Sequence, residues 1–120
     1  MSLIVYPYKR NIRTNEVEKA EVQLPSPFSE LFGFESWRIK VWGSKTLINL
    51  GCKMLPSLAY KDIYAENEEL YLLKREIELV LENLSEGIFD DSSAVKFRLQ
   101  NAEEVIRIAI KNENWGVYIG

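Results

Sequence analysis

Two long stretches of helical periodicity, Glu68–Glu86 and Ser93–Lys111, constrain the fold of this chain more than any other feature. In the first, Leu70, Leu73, Ile77, Val80, Leu81 and Leu84 recur at helical spacing and form one apolar stripe. In the second, Val95, Leu99, Ala102, Val105, Ile106, Ala109 and Ile110 do the same. Asn67 stands at the cap of the first helix, and Glu68 and Glu69 fill the first turn, where the helix dipole favours acids. Gly87 closes it, and Asp90-Asp91-Ser92-Ser93 offers the cap of the second. Helices joined by so short a connection are expected to form an antiparallel hairpin. Their stripes then need another layer to cover them.

The first half of the chain supplies that layer. Leu3–Tyr8 reads as a strand, and Glu18–Leu24 as a second, with Ala20, Val22 and Leu24 alternating against polar neighbours. Pro25-Ser26-Pro27 stops it, and Ser26 with Pro27 behind it predicts a short helix through Phe32, closed by Gly33. Ser36–Trp42 alternates again, with Trp37, Ile39 and Val41 on one side and Arg38, Lys40 and Trp42 on the other, and is expected to be a third strand. Ser44 caps a helix reaching about Cys52 or Lys53, before Pro56. Asp62–Glu66 and Trp115–Ile119 read as further strands, with Trp115, Val117 and Ile119 turned toward the helices. The pattern predicts an α+β fold: a small, mainly antiparallel sheet packed on one face by the long helical hairpin, with two short helical segments. A length of 120 residues suits a single domain spanning residues 1–120.

The chain has no histidine and one cysteine, Cys52. That excludes Ser-His-Asp and Cys-His catalysis, histidine-ligated metals, zinc clusters and an internal disulfide. No pattern calls for a cofactor. The apolar run Leu3-Ile4-Val5-Tyr6 is too short for a signal peptide, and no stretch approaches the ~18 apolar residues of a membrane span. A cytoplasmic protein with Cys52 reduced is therefore expected.

Charge divides unevenly. Residues 1–60 carry 8 Lys/Arg against 5 Asp/Glu, and residues 61–120 carry 7 against 13. The net charge of −3 argues against nucleic acid and anionic membranes as partners. The asymmetry suits either a solvated helical half or a surface that orients a partner.

Local motifs reduce to plainer readings. Gly43-Ser44-Lys45-Thr46 before a helix has the tail of a phosphate-binding loop, but Ser44 and Ile39 stand where that loop needs glycines. A Ser-capped helix start explains it. Trp42, Arg38, Lys40 and Lys45 remain as ligand or anion contacts to locate. The carboxylates Glu66, Glu68, Glu69, Asp90, Asp91, Glu103 and Glu104 lack the series of a calcium loop and fit helix ends. Cys52 lies in an apolar run and reads as a buried thiol.

The string Phe34-Glu35-Ser36-Trp37-Arg38, followed by Val41-Trp42-Gly43-Ser44, Leu50-Gly51, Leu55-Pro56, Arg98-Leu99-Gln100-Asn101-Ala102 and Gly116-Val117-Tyr118-Ile119, resembles small uncharacterised bacterial proteins. The resemblance implies no activity, and no residue role is carried over from it.

One feature points outward. Leu72 and Leu79 fall on the side of their helix away from its main stripe, near Glu76, and Phe97 and Ile108 do so on the next, beside Asn101 and Glu104. Four apolar residues on helix backs need covering by another part of the chain or by a second chain. The leading expectation is a non-catalytic protein-interaction module, self-associating as a homodimer or acting as a neutralising partner of the immunity type. Leu72, Leu79, Phe97 and Ile108 would form its contact, and Glu76 and Glu104 its rim. The alternatives are a small-molecule-binding domain, with Tyr6, Tyr8, Trp42 and Tyr64 around a pocket, and an enzyme using carboxylate, lysine or tyrosine chemistry.

Overall fold

The computed structural model describes residues 2–120 and combines helices with an antiparallel sheet. The strands are β1 (Ser2–Arg10), β2 (Val17–Lys19), β3 (Leu31–Phe34), β4 (Ile63–Glu66) and β5 (Trp115–Ile119). The helices are α1 (Lys45–Leu50), α2 (Glu68–Asn83) and α3 (Ser92–Ile110). A π-helical turn at Arg38–Trp42 leads into α1, and 3-10 turns follow at Leu55–Ala59 and Leu84–Glu86. The strand order is β2-β1-β5-β4, and β3 also pairs with β1. In register, Tyr6 of β1 lies opposite Tyr118 of β5, which in turn lies opposite Tyr64 of β4.

Strand alternation sends Leu3 and Val5, Ile63 and Ala65, and Val117 and Ile119 into the core. They meet Leu70, Leu73, Ile77 and Val80 of α2 and Val95, Leu99, Ala102, Val105 and Ile106 of α3. α3 packs against β1, β3 and β5, and α2 against α3 and β4. Leu73, Ile77, Val80, Leu84, Leu99, Ala102 and Ile106 are all buried, as their periodicity predicts. Each of the leucine, isoleucine and valine side chains among them contributes about 1.5–3 kcal/mol when fully withdrawn from water, and the single methyl of Ala102 less. Ser44 accepts from the Leu47 amide (3.4 Å), Asp91 accepts from the Ala94 amide (3.2 Å), and Gly87 ends the α2 segment at φ 71°. Among the described residues, no helix is long and apolar enough to cross a membrane.

Three segments depart from their sequence pattern. The second strand is confined to Val17–Lys19, because Ala20 is already buried with its amide on Pro7 O (2.9 Å) and the chain then leaves the sheet. The helix expected through Phe32 is instead a turn followed by β3, paired with β1 at Ser2↔Phe34 and Ile4↔Leu31. Asn101 of α3 fixes this segment: its Oδ1 accepts from the Ser29 amide (3.0 Å), and its Nδ2 donates to Leu31 O (2.9 Å). The strand expected at Ser36–Trp42 is the π-helical turn. There the neighbours Val41 and Trp42 are both buried while Ile39 is exposed, which two-fold alternation does not allow. Trp42 is stacked on Phe32 with ring centroids 4.3 Å apart, and its Nε1 donates to Phe32 O (3.2 Å).

Candidate functional site

The residues that alternate with the core positions line the opposite face of the sheet, and tyrosine is the commonest among them. β1 contributes Ile4, Tyr6, Tyr8 and Arg10, β5 contributes Tyr118, and β4 contributes Tyr64 and Glu66, with Asp62 just before it. Tyr118 occupies the centre. Its ring lies 4.9 Å from Tyr6 and 5.0 Å from Tyr64, while Tyr8 and Tyr64 meet edge to face at 5.8 Å. Such offset and edge contacts are the favourable geometries for aromatic rings. Tyr64 is 54% exposed and Tyr6 and Tyr118 are half-buried, so the cluster meets solvent.

Gly116 makes room for the Tyr8 ring. A side chain there would collide with the Tyr8 ring, which crosses β5 at this point and is only 1% exposed. The Tyr8 hydroxyl is buried without a hydrogen-bond partner. Burial, with the Glu66 carboxylate beside it, pushes that phenol far above its ordinary value. Tyr118 is shifted the same way by burial and by donating its hydroxyl to Asp62 Oδ2 (2.8 Å).

Ion pairs frame the rings. Arg10 grips Glu66 with two bonds of 2.7 Å, Arg38 Nη2 holds Asp62 Oδ1 at 2.7 Å, and Lys19 Nζ holds Glu30 at 2.9 Å. The Lys19 ammonium also stands over the Tyr6 ring, 5.0 Å from its centroid. Hydrogen bonds from Arg38 and Arg10 hold the Asp62 and Glu66 carboxyls below their ordinary values. These are ionised, paired carboxylates beside phenols that stay protonated. The arrangement suits binding better than proton transfer, which needs a group poised near neutrality. Among the described residues, no group of three or more His, Cys, Asp or Glu is placed to hold a metal ion.

The residues singled out from the sequence fall in several places. Tyr6, Tyr8 and Tyr64 are together on this face, but they pave an open sheet rather than a pocket. Trp42 is not with them: it is fully buried in the core and presents nothing to a ligand. Arg38 is committed to Glu35, Asp62 and the carbonyls of Leu58 and Lys61, while Lys40 and Lys45 are exposed elsewhere. A helical turn, unlike a strand, does not keep Arg38, Lys40 and Trp42 on one side.

Leu72 is 56% exposed and, with Leu79, lines a groove of about 710 Å³ between α2 and the end of α1, with Gly51, Met54 and Arg75 also lining it. Phe97 is 37% exposed and Ile108 is half-buried, but Asn101 between them on α3 is fully buried against Ser29 and Leu31. Part of that helix back is thus covered by the chain itself. Glu76 is not a free rim charge, since its carboxylate accepts the amides of Lys53 (3.0 Å), Met54 (2.9 Å) and Leu55 (3.0 Å). Glu104 is tied to Arg107 on its own helix. Cys52 is buried, and burial, reinforced by Glu76, pushes its thiol up to about 12.

The sequence pattern does not single out Tyr118, Arg10 or Asp62 as site residues, and Glu66, expected at a helix end, instead accepts two hydrogen bonds from Arg10. The signal was present: the outward positions of three strands read Tyr6/Tyr8, Tyr64 and Tyr118. No family model, curated protein or solved structure matches the chain.

Proposed function

We propose that this chain is a non-catalytic protein-interaction module whose contact surface is the tyrosine face of the sheet. The observation that carries the reading is the cluster of Tyr6, Tyr64 and Tyr118 left in solvent on one face of a sheet whose other face is packed in the core. Contiguous apolar and aromatic surface marks contact sites, and tyrosine and arginine are enriched in the centres of protein interfaces. The reading includes the finer architecture: one domain in which α2 and α3 form an antiparallel hairpin on the core face of the sheet. Burial of both helix stripes together with the inward strand residues supports that arrangement. Nucleic acid fits less well, because each cation around the rings is already matched by a carboxylate.

A photo-activatable phenylalanine analogue at position 64 tests the reading in cells, with the same group at Tyr71 on α2 as the exposed control. A discrete protein adduct at position 64 and none at 71 is expected. Adducts to nucleic acid, or no adduct at 64, would overturn the reading. Small-molecule binding is a second reading, favoured by the groove at Leu72 and Leu79, whose volume lies in the range of ligand sites.

A further inference from the structure

We infer that the free edge of β4 is a strand-docking site, taking an extended acidic segment of a partner protein as an added strand; this stands on the backbone of that edge and not on the tyrosine rings. The strand order leaves β4 at one end of the sheet. Ile4 and Gly120 exchange amide–carbonyl bonds of 2.9 and 3.0 Å, so Gly120 turns its backbone to β1, and by alternation so do Tyr118 and Gly116. Ile119 and Val117 therefore turn theirs to Ile63 and Ala65. The N–H and C=O of Tyr64 are left pointing away from the sheet, and among the described residues neither has a hydrogen-bond partner. The Glu66 amide points the same way and is taken up by Glu69 Oε1 (3.3 Å). An extended chain alongside β4 offers Tyr64 one acceptor and one donor, as strand addition to a sheet edge requires.

Charge selects the occupant. A trough of about 230 Å³ lies on this side of β4, lined by Ile63 and Tyr64, by Lys53, Ser57 and Lys61 of the preceding loop, and by Glu69 of α2. Lys53 and Lys61 are exposed and make no ion pair among the described residues. Asp62, also at the trough, is bound to Arg38 and Tyr118, and Glu69 is engaged by the Glu66 amide. Two free ammonium groups thus flank an unpaired donor and acceptor, and carboxylates on an incoming strand meet both. A second copy of this edge would bring two more lysines against them, so self-pairing is opposed. The other sheet edge lacks this selectivity: on β2, Glu18 is paired with Lys9 and Lys19 with Glu30.

The edge is short, which sets the strength. Only Tyr64 presents both groups free, so the contact rests on two main-chain hydrogen bonds and the two lysines. A dissociation constant of roughly 0.1–1 mM is expected for a short peptide.

Nuclear magnetic resonance on the isotope-labelled full chain tests it, with a capped hexapeptide of alternating glutamate and valine as the probe. Without peptide, the Tyr64 amide should exchange freely with solvent while those of Ile63 and Ala65 are protected. Peptide near saturation should shift the Tyr64 amide resonance and slow its exchange several-fold. The same peptide with lysine for glutamate should bind at least ~10-fold more weakly, and Lys53→Glu combined with Lys61→Glu should reverse that order. Methylating the two central peptide nitrogens removes main-chain donors, keeps the charge, and should abolish binding. Circular dichroism checks that the variant, altered only at exposed positions, is folded. A Tyr64 amide already protected in the free chain overturns the inference, as does the absence of any shift at roughly 5 mM peptide. Equal binding of the acidic and basic peptides, or undiminished binding of the methylated one, overturns it too. Inorganic phosphate reproducing the Tyr64 shift would replace the docked strand with a simple anion site.

Discussion

Replacing Glu76 with alanine removes the acceptor of three consecutive amides at the entrance to the 3-10 turn, those of Lys53, Met54 and Leu55. These bonds tie the α1 end of the molecule to α2 across more than twenty residues of chain. Hydrogen bonds to a charged group contribute about 1.5–3 kcal/mol each. The Lys53 amide is exposed and recovers a water, so most of the loss falls on the part-buried amides of Met54 and Leu55. A destabilisation of about 2–4 kcal/mol follows, at the upper end of ordinary single substitutions. Glu76→Gln keeps one acceptor oxygen and should cost about half as much. Urea unfolding followed by tryptophan fluorescence reads both. With a slope near ~2 kcal/mol/M, the alanine variant should lose about 1–2 M from its midpoint. Glu78→Ala, an exposed neighbour on α2, should stay within about 0.5 kcal/mol of wild type. If Glu76→Ala unfolds at the wild-type midpoint, the carboxylate is not holding the loop, and its place at a partner's rim regains force.

Further outcomes follow from other contacts. Asn101→Ala strips partners from the Ser29 amide and the Leu31 carbonyl and should cost about 2–4 kcal/mol in the same assay, because both sit under a fully buried side chain. Removal of residues 115–120 deletes the strand between β1 and β4 and should abolish cooperative unfolding; a single sharp melt would contradict it. Tyr8 and Tyr118 are held protonated in the fold, whereas the unfolded chain ionises near 10.0, so their stabilisation is full below that pH and lost as pH rises above it. Absorbance at the phenolate band should show these two titrating only as the protein unfolds. Asp62 and Glu66, with folded values below 3.8 and 4.5, stabilise above those values, and their contribution is lost as pH falls below them. Asp62→Asn should flatten the acid limb of a stability–pH profile.

The two long helices were legible because each keeps one period over sixteen or more residues, and β1, β4 and β5 because their local alternation agrees with the pairing they find in the sheet. Ser36–Trp42 was not. Seven residues that alternate by twos are also two turns of a helix, and the deciding contacts are distant: Trp42 on Phe32, and Arg38 on Leu58, Lys61 and Asp62. The same holds for residues 26–32, whose Ser-Pro start suits a helix but whose geometry is set by Asn101, seventy residues on. The candidate site was half legible. Tyr6, Tyr8 and Tyr64 stood out as aromatics, but their neighbourhood depends on a strand order that local patterns do not encode. Glu76 shows the same limit, since its spacing placed it beside Leu72 and Leu79 while its function is to hold backbone amides from another segment.

The position of β5 makes the tyrosine face a late event in the life of the chain. Tyr6 and Tyr64 belong to strands that never pair with each other; only Tyr118, more than a hundred residues after Tyr6, joins them. A nascent chain on the ribosome can assemble α1, α2 and much of α3 from near neighbours, yet the aromatic cluster does not exist until β5 slots between β1 and β4. Contacts so distant in sequence form slowly and late. The aromatic surface therefore exists only once β5 has docked: before that pairing, Tyr6 and Tyr64 are separate residues on strands that do not meet.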